Sequence, residues 1–293
     1  MGRQPSLARR FFDRFEPVHA VTYFSPEART ALDGLGFRGF WMGYFAARSA
    51  PFGVVPPEMV TAAFYNFTPD RVAKSLRAAW EVSSPTEALR VREDSAVAAL
   101  RRYGVTDDEA ATAAELAEKA ARHAPLDGRP LFAANVAVDW PQDPVARLWH
   151  AVTLLREHRG DGHIAVLVTL GVSGRESNVL HAAAGRVPTE MIMRSRDYDE
   201  EQWAQYAGQL AGRGLLDGDG ALTDAGRDLK QRIEDSTDQL ALTALEALTD
   251  DEVERLFQAL TPITRKVVAA GDVPAATPMG LGRDDLHDNS AHL

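Results

Sequence analysis

Residues 210–240 read LAGRGLLDGDGALTDAGRDLKQRIEDSTDQL, and the fold turns on this stretch. Arg213 to Thr223 reads as a short hairpin, because the Asp217-Gly218 and Asp219-Gly220 pairs supply the positive φ angles of a tight turn. A helix precedes it over Asp199–Gly212, with Trp203, Tyr206, Ala207 and Leu210 facing inward. Another helix follows, with Thr223 or Asp224 as its cap.

Upstream of this segment helix signals dominate. Phe37, Phe40, Trp41, Tyr44 and Phe45 recur at i, i+3, i+4, i+7 and i+8, one wide aromatic stripe. Pro51, Pro56 and Pro57 break the chain, and a second helix carries Met59, Val60, Ala63, Phe64 and Phe67. Ser84-Pro-Thr-Glu87, Thr106-Asp-Asp-Glu109 and Thr249-Asp-Asp-Glu252 are three capping boxes. They predict helices over about 84–102, 106–123 and 249–270. Gly171-Val-Ser-Gly174 reads as the turn of a helix-turn-helix.

The helix–hairpin–helix of 210–240 resembles that of MarR-type regulators, in which a leucine and "RGL" precede a wing and "LT-x-x-G" opens a long helix. That likeness covers about 187–240. LWHAVTLLREHRGDGHIAVLVTLGVSGRESNVLHAA (148–183), with YFAARSAPFG (44–53) and FYNFTP (64–69) upstream, resembles an actinobacterial helix-turn-helix family over nearly the whole chain. The resemblance implies a fold and no particular activity. The expected architecture is mainly α: an N-terminal helical domain (1–125), then a winged-helix-like domain (144–270) with a short β-hairpin wing and long closing helices. Those helices, about 223–247 and 249–270, are expected to pack across a homodimer, as in MarR-like proteins. The segment 271–293 is expected to be a flexible tail, being rich in Gly, Pro, Asp and Asn without periodicity.

The 293 residues suffice for a substantial core without staples. No cysteine is present, so disulfides and thiolate metal sites are excluded. No apolar run approaches the roughly 20 residues that span a bilayer. Met1 to Arg10 is followed by no apolar h-region, so no secretory signal is expected and a cytoplasmic location is.

DNA is a disfavoured partner on charge grounds. Net charge is −10. The helix before the hairpin opens with Asp197-Tyr-Asp-Glu-Glu201, and the turn is Asp217-Gly-Asp219-Gly220. Both would repel phosphate, and Arg194 and Arg196 are the only basic residues nearby.

The most informative local feature is Arg156-Glu-His-Arg-Gly-Asp-Gly-His163. The helix before it places Val145, Leu148, Trp149, Val152 and Leu155 on one face, and Arg156 and Arg159 fall on that same face. Buried arginines need anionic partners. The partner is either internal, such as Glu157, Asp161 or a carboxylate of the N-terminal half, or a ligand held bidentately. On the second reading Arg156 and Arg159 bind an acid, while His158 or His163, with Glu157 and Asp161, moves protons. On the first, the residues form a structural ion-pair network and Asp161 caps a helix starting at Gly162. The ligand types would suit a metal, but two glycines are expected to break the helix between the histidines, and no HExxH is present.

His19, Tyr23, Trp41, Tyr44, Tyr65 and Asn66 are candidates to line a cavity for a flat or greasy ligand, although aromatics at helical spacing are more often plain core. Ser173 to Ser177 lacks the strand–elbow context of a serine hydrolase, and no GxGxxG or Walker A is present. The expectation is therefore a binding protein for an anionic or aromatic small molecule. It extends to cofactor-independent acid/base chemistry in an interdomain pocket, with the winged helix kept as scaffold. The alternatives are a ligand-responsive MarR-like regulator and a purely interaction-based scaffold.

Overall fold

The computed structural model describes residues 3–185, 187–275, 277 and 279–293. All regular secondary structure among the described residues is helical, with no β-strand. Eight helices make the N-terminal half: α1 (Pro5–Phe24), α2 (Pro26–Gly34), α3 (Gly39–Ser49), α4 (Pro57–Phe64), α5 (Pro69–Val82), α6 (Pro85–Arg102), α7 (Asp107–His123) and α8 (Pro130–Val136). The long α9 (Pro144–Thr169) leads to α10 (Gly174–Ala183), α11 (Thr189–Arg196), α12 (Glu200–Gly212), α13 (Asp224–Leu242) and α14 (Asp250–Ala270).

Local chemistry starts these helices where the sequence signals it. Thr106 and Thr249 each accept from the backbone of the glutamate three residues on, and that glutamate reaches back to the cap's N–H. Each cap contributes about 1 kcal/mol. At Ser84 only half of the box forms, because the Glu87 carboxylate turns to Arg90. Ser173 and Glu176 form a further complete box that opens α10. Asp143 caps α9, with Pro144 in the first turn where its missing N–H costs nothing.

The main core gathers α1, α6, α7, α9 and α14 around Trp149, which is fully buried. Ala110, Ala113, Ala114, Ala117, Ala120 and Ala121 give α7 a small-residue face that packs closely on α9 and α14. A second cluster joins the end of α9 to α10, α12 and α13 through Leu167, Leu180, Leu210, Leu229 and Ile233. A third, aromatic cluster packs Phe45, Phe64 and Phe67 of the α3–α5 region with Leu76 and Leu131. Each fully buried Leu or Phe contributes roughly 1.5–3 kcal/mol.

The expected β-hairpin wing is not present. Residues 213–223 form a compact loop with a single isolated bridge, Leu216 to Leu222. The Asp217 carboxylate accepts from the N–H groups of Asp219 and Ala221, closing a side-chain turn that takes up the donors a strand ladder would use. The apolar flanks, Leu215, Leu216 and Leu222, are too short to extend pairing beyond one bridge.

A second correction concerns Gly160 and Gly162. They do not break the helix; α9 runs unbroken for 26 residues, so Asp161 is mid-helix and not a cap. Asp161 instead accepts from the backbone N–H of Phe132 in α8 at 2.8 Å. A Cβ on Gly162 would lie 3.6 Å from Leu240 of α13, an ordinary contact distance. Tertiary packing outweighs the roughly 1 kcal/mol propensity cost of each glycine.

The two closing helices use their apolar faces within the chain: α13 packs on α1 and α9, and α14 on α1 and α7. After Gly271 the chain returns along α1. Arg10 holds Asp285 and Asp288, Arg14 holds Asp285, and Asp13 accepts from the Gly282 N–H.

Candidate functional site: a cavity between α1, α3, α9, α11 and α13

A cavity of about 1200 Å³ lies between the aromatic N-terminal helices and the α9–α13 half. One wall is aromatic: Tyr23 of α1, Trp41 and Tyr44 of α3, Phe64 of α4, and Phe67. Charged and polar groups complete the lining: Arg156, Arg159 and His163 from α9, Arg196 from α11, and Lys230 and Glu234 from α13.

The rings of the aromatic wall hold one another. Tyr44 lies 5.1 Å from Tyr23, 5.6 Å from Trp41 and 5.7 Å from Phe67, centroid to centroid. Such contacts favour a fixed set of ring orientations. Tyr65 stands in the left-handed region (φ 45°), and its hydroxyl donates to the Val172 carbonyl at 2.6 Å.

Arg156 and Glu157 belong to an alternating chain of charges across three helices. Glu16 of α1 accepts from Arg156 at 3.2 Å, Arg156 donates to Glu157 at 2.8 Å, and Glu157 accepts a two-pronged contact from Arg48 of α3. Burial pushes the Glu157 carboxyl up, but Arg156 and Arg48 outweigh it and hold the group well below the usual carboxylate range. For Glu16 burial wins, and its carboxyl is raised. Arg159 has its own partners: Asp238 at 2.7 Å and Glu234 at 3.8 Å. Both arginines of the 156–163 segment are thus matched by carboxylates of the chain itself.

The predicted residues separate into two groups. Arg156, Arg159, His163, Tyr23, Trp41, Tyr44, Tyr65 and Asn66 line the cavity. His19, Glu157, His158 and Asp161 do not. His19 sits behind Tyr23, bonded to its hydroxyl at 2.8 Å and to Thr153 at 2.9 Å, and stacked on Trp149. His158 faces the other way, its ring edge-on to Phe132. Burial, helped by Arg129, pushes His158 down to about 3. Burial raises Asp161 to about 7. The four residues cast as a proton-transfer set therefore do not converge on one point, because α9 turns 100° per residue and sends neighbours to different faces.

His163 does reach the cavity, with Nδ1 3.0 Å from the Thr237 hydroxyl. Burial lowers it to about 4, so its ring is neutral near pH 7. Among the described residues no three His, Asp or Glu side chains gather to hold a metal ion.

Sequence reasoning missed Arg48 and Arg196 as wall residues. Arg48 was readable, since it follows Trp41 and Tyr44 on the same helical stripe. Arg196 had a weaker signal, its spacing of four from the buried Ile192.

Helices α10 to α13 follow one another closely, with a sharp turn at 197–199 joining α11 to α12. The chain belongs to a helix-turn-helix family, whose profile matches residues 8–274. No curated protein and no solved structure matches the chain. Among the described residues no helix is long and apolar enough to cross a membrane.

Proposed function

We propose that this protein binds a small molecule with an apolar, aromatic body and an acidic group in the cavity between its two halves. The helix-turn-helix half then acts as part of the binding scaffold. The observation that carries this reading is the combination of aromatic rings and guanidinium groups around one space of about 1200 Å³. Ligand sites combine a mostly apolar lining with a few placed polar groups, and this cavity has that make-up. A proton-transfer role is left only to His163, because His158 and Asp161 face away. A cytoplasmic location fits this reading.

The test is fluorescence titration with anilinonaphthalene sulfonate and with the uncharged N-phenyl-naphthylamine. Saturable uptake of at least one probe, blocked by Ala184→Trp in the cavity wall, supports the reading. Failure of both probes to bind the folded wild type overturns it.

A second reading has the family assignment behind it: a ligand-responsive regulator, dimeric and MarR-like in its use of DNA. The acidic opening of α12 works against it, since Asp199 is the cap and Glu200 and Glu201 fill the first turn. This reading expects salt-dependent binding of a dimer to a palindromic promoter fragment. Absence of any shift in fluorescence anisotropy at low salt would rule it out.

A further inference from the structure

Arg196 closes α11 with its side chain in the cavity wall, and only 9% of the residue is exposed. Every other strongly buried arginine of that wall has a carboxylate: Arg48 has Glu157, Arg156 has Glu16 and Glu157, and Arg159 has Asp238. Arg196 has none among the described residues within ion-pair distance. Its Nε is buried without a hydrogen-bond partner, and Nη1 makes one long contact of 3.5 Å to the adjoining Ser195 carbonyl. A guanidinium carries five N–H donors, so most of its bonding capacity is unused.

What surrounds Arg196 is aromatic and cationic. Its guanidinium carbon lies 4.2 Å from the Phe67 ring centroid and 6.0 Å from that of Trp41. Arg48 and Arg71 are close enough to repel it, and burial is the largest influence, drawing its pKa down to about 10. Arg71 itself is spoken for, by Asp197 and the Ser195 carbonyl. A buried cation without a counter-charge is costly, and cation–π contacts offset only part of that cost. Apart from these ring contacts, no anionic group of the described residues within ion-pair distance calls for the charge.

We infer that Arg196 is the anion receptor of the cavity: it takes the single negative group of a planar aromatic acid whose ring body lies against Trp41, Tyr44 and Phe67. One negative charge matches the one strongly buried guanidinium of the wall that has no carboxylate among the described residues; Arg194, also in the lining, is exposed to solvent. Its flat fork suits a carboxylate or sulfonate, whose two oxygens can accept parallel hydrogen bonds. Arg156 and Arg159, already matched, shape the wall. This assignment rests on the cavity reading above and adds to it the residue and the charge of the ligand.

The two probes separate the possibilities. In wild type the sulfonate binds more tightly than the uncharged naphthylamine. Arg196→Gln weakens the sulfonate about tenfold or more, the loss expected when a charge-assisted contact goes, and leaves the naphthylamine within about twofold. Arg196→Lys, which keeps charge but not the fork, falls between. Arg196→Gln also melts no lower than wild type when no probe is present, since it removes an unmatched buried charge. Equal sulfonate affinity in wild type and Arg196→Gln overturns the assignment while leaving the cavity reading intact. So does equal loss of both probes in Arg196→Gln and Arg196→Lys with a lowered melting temperature, which makes Arg196 structural. Failure of wild type to bind either probe removes the cavity reading, and this assignment with it.

Discussion

Arg48 and Glu157, 109 residues apart, meet in a two-pronged contact with both N···O distances at 3.0 Å. This pair ties α3, which carries the aromatic wall, to α9, which carries the charged one. Glu157 is only 2% exposed on its side chain, so the contact is shielded from solvent.

Removing one partner leaves the other charge buried. Arg48→Ala is expected to destabilise the fold by about 3–5 kcal/mol. Arg48→Met with Glu157→Leu, which removes both charges, is expected to recover most of that loss. Urea melts of Arg48→Met, Glu157→Leu and the double carrying both close the cycle. A double variant as unstable as the sum of the singles would contradict the pairing, once Arg156 is accounted for by its own contact with Glu16.

Gly174 supports the far end of the aromatic wall. A Cβ there would stand 2.0 Å from the Tyr65 carbonyl oxygen, which belongs to backbone and cannot swing away. Gly174→Ala is expected to cost about 1–3 kcal/mol by overpacking. Thermal denaturation measures it, and an unchanged melting temperature would show that α10 and the 65–66 turn do not meet this closely.

His163 makes stability depend on pH in a definite direction. Its folded pKa, about 4, lies below the ordinary 6.5, because burial and then Arg159, Lys230 and His181 outweigh Glu234. The unfolded chain therefore binds more protons between these values, and stability falls as pH drops from about 6.5 to about 4. His163→Gln does not titrate and is expected to lose about 2 kcal/mol less than wild type on going to pH 5. Urea melts at pH 7 and pH 5 check this; equal losses in the two proteins would contradict it. His158 and His150 are shifted the same way and keep a residual slope in the variant.

The acidic start of α12 sets its behaviour toward DNA. Glu200→Lys with Glu201→Lys is expected to strengthen binding to a generic duplex and to steepen the log–log salt slope by roughly two units. Anisotropy titrations across salt concentrations report both quantities. No change in slope would mean that the α12 end does not approach phosphate in the complex.

Helix starts were legible in the sequence because capping is local: Thr106 with Glu109, and Thr249 with Glu252, need only three residues of context. The aromatic wall was legible as a stripe, since periodicity survives into tertiary structure when a face is buried. The loop at 213–223 was misread because Asp-Gly pairs signal a turn without saying whether the flanks are long enough to pair. The continuity of α9 through Gly160 and Gly162 goes with its packing on α1, α6, α7, α8 and α13, which no local rule contains. The residues cast as a proton-transfer set point different ways for a geometric reason: His158 and Asp161 share a face of α9 directed at α8, whereas His163 lines the cavity. Arg196 was passed over because an arginine at the end of a short helix is ordinary there; only the missing carboxylate, a three-dimensional fact, makes it unusual.

The turn between α11 and α12 is pinned from two directions. Arg71 of α5 holds the Ser195 carbonyl and Asp197, while Arg175 of α10 holds the carbonyls of Arg196 and Asp197. The connection between α11 and α12 is thus riveted to both halves of the molecule. Swinging α12 alone would shear four bonds at once, so the turn and the rim beside Arg196 travel as one plate.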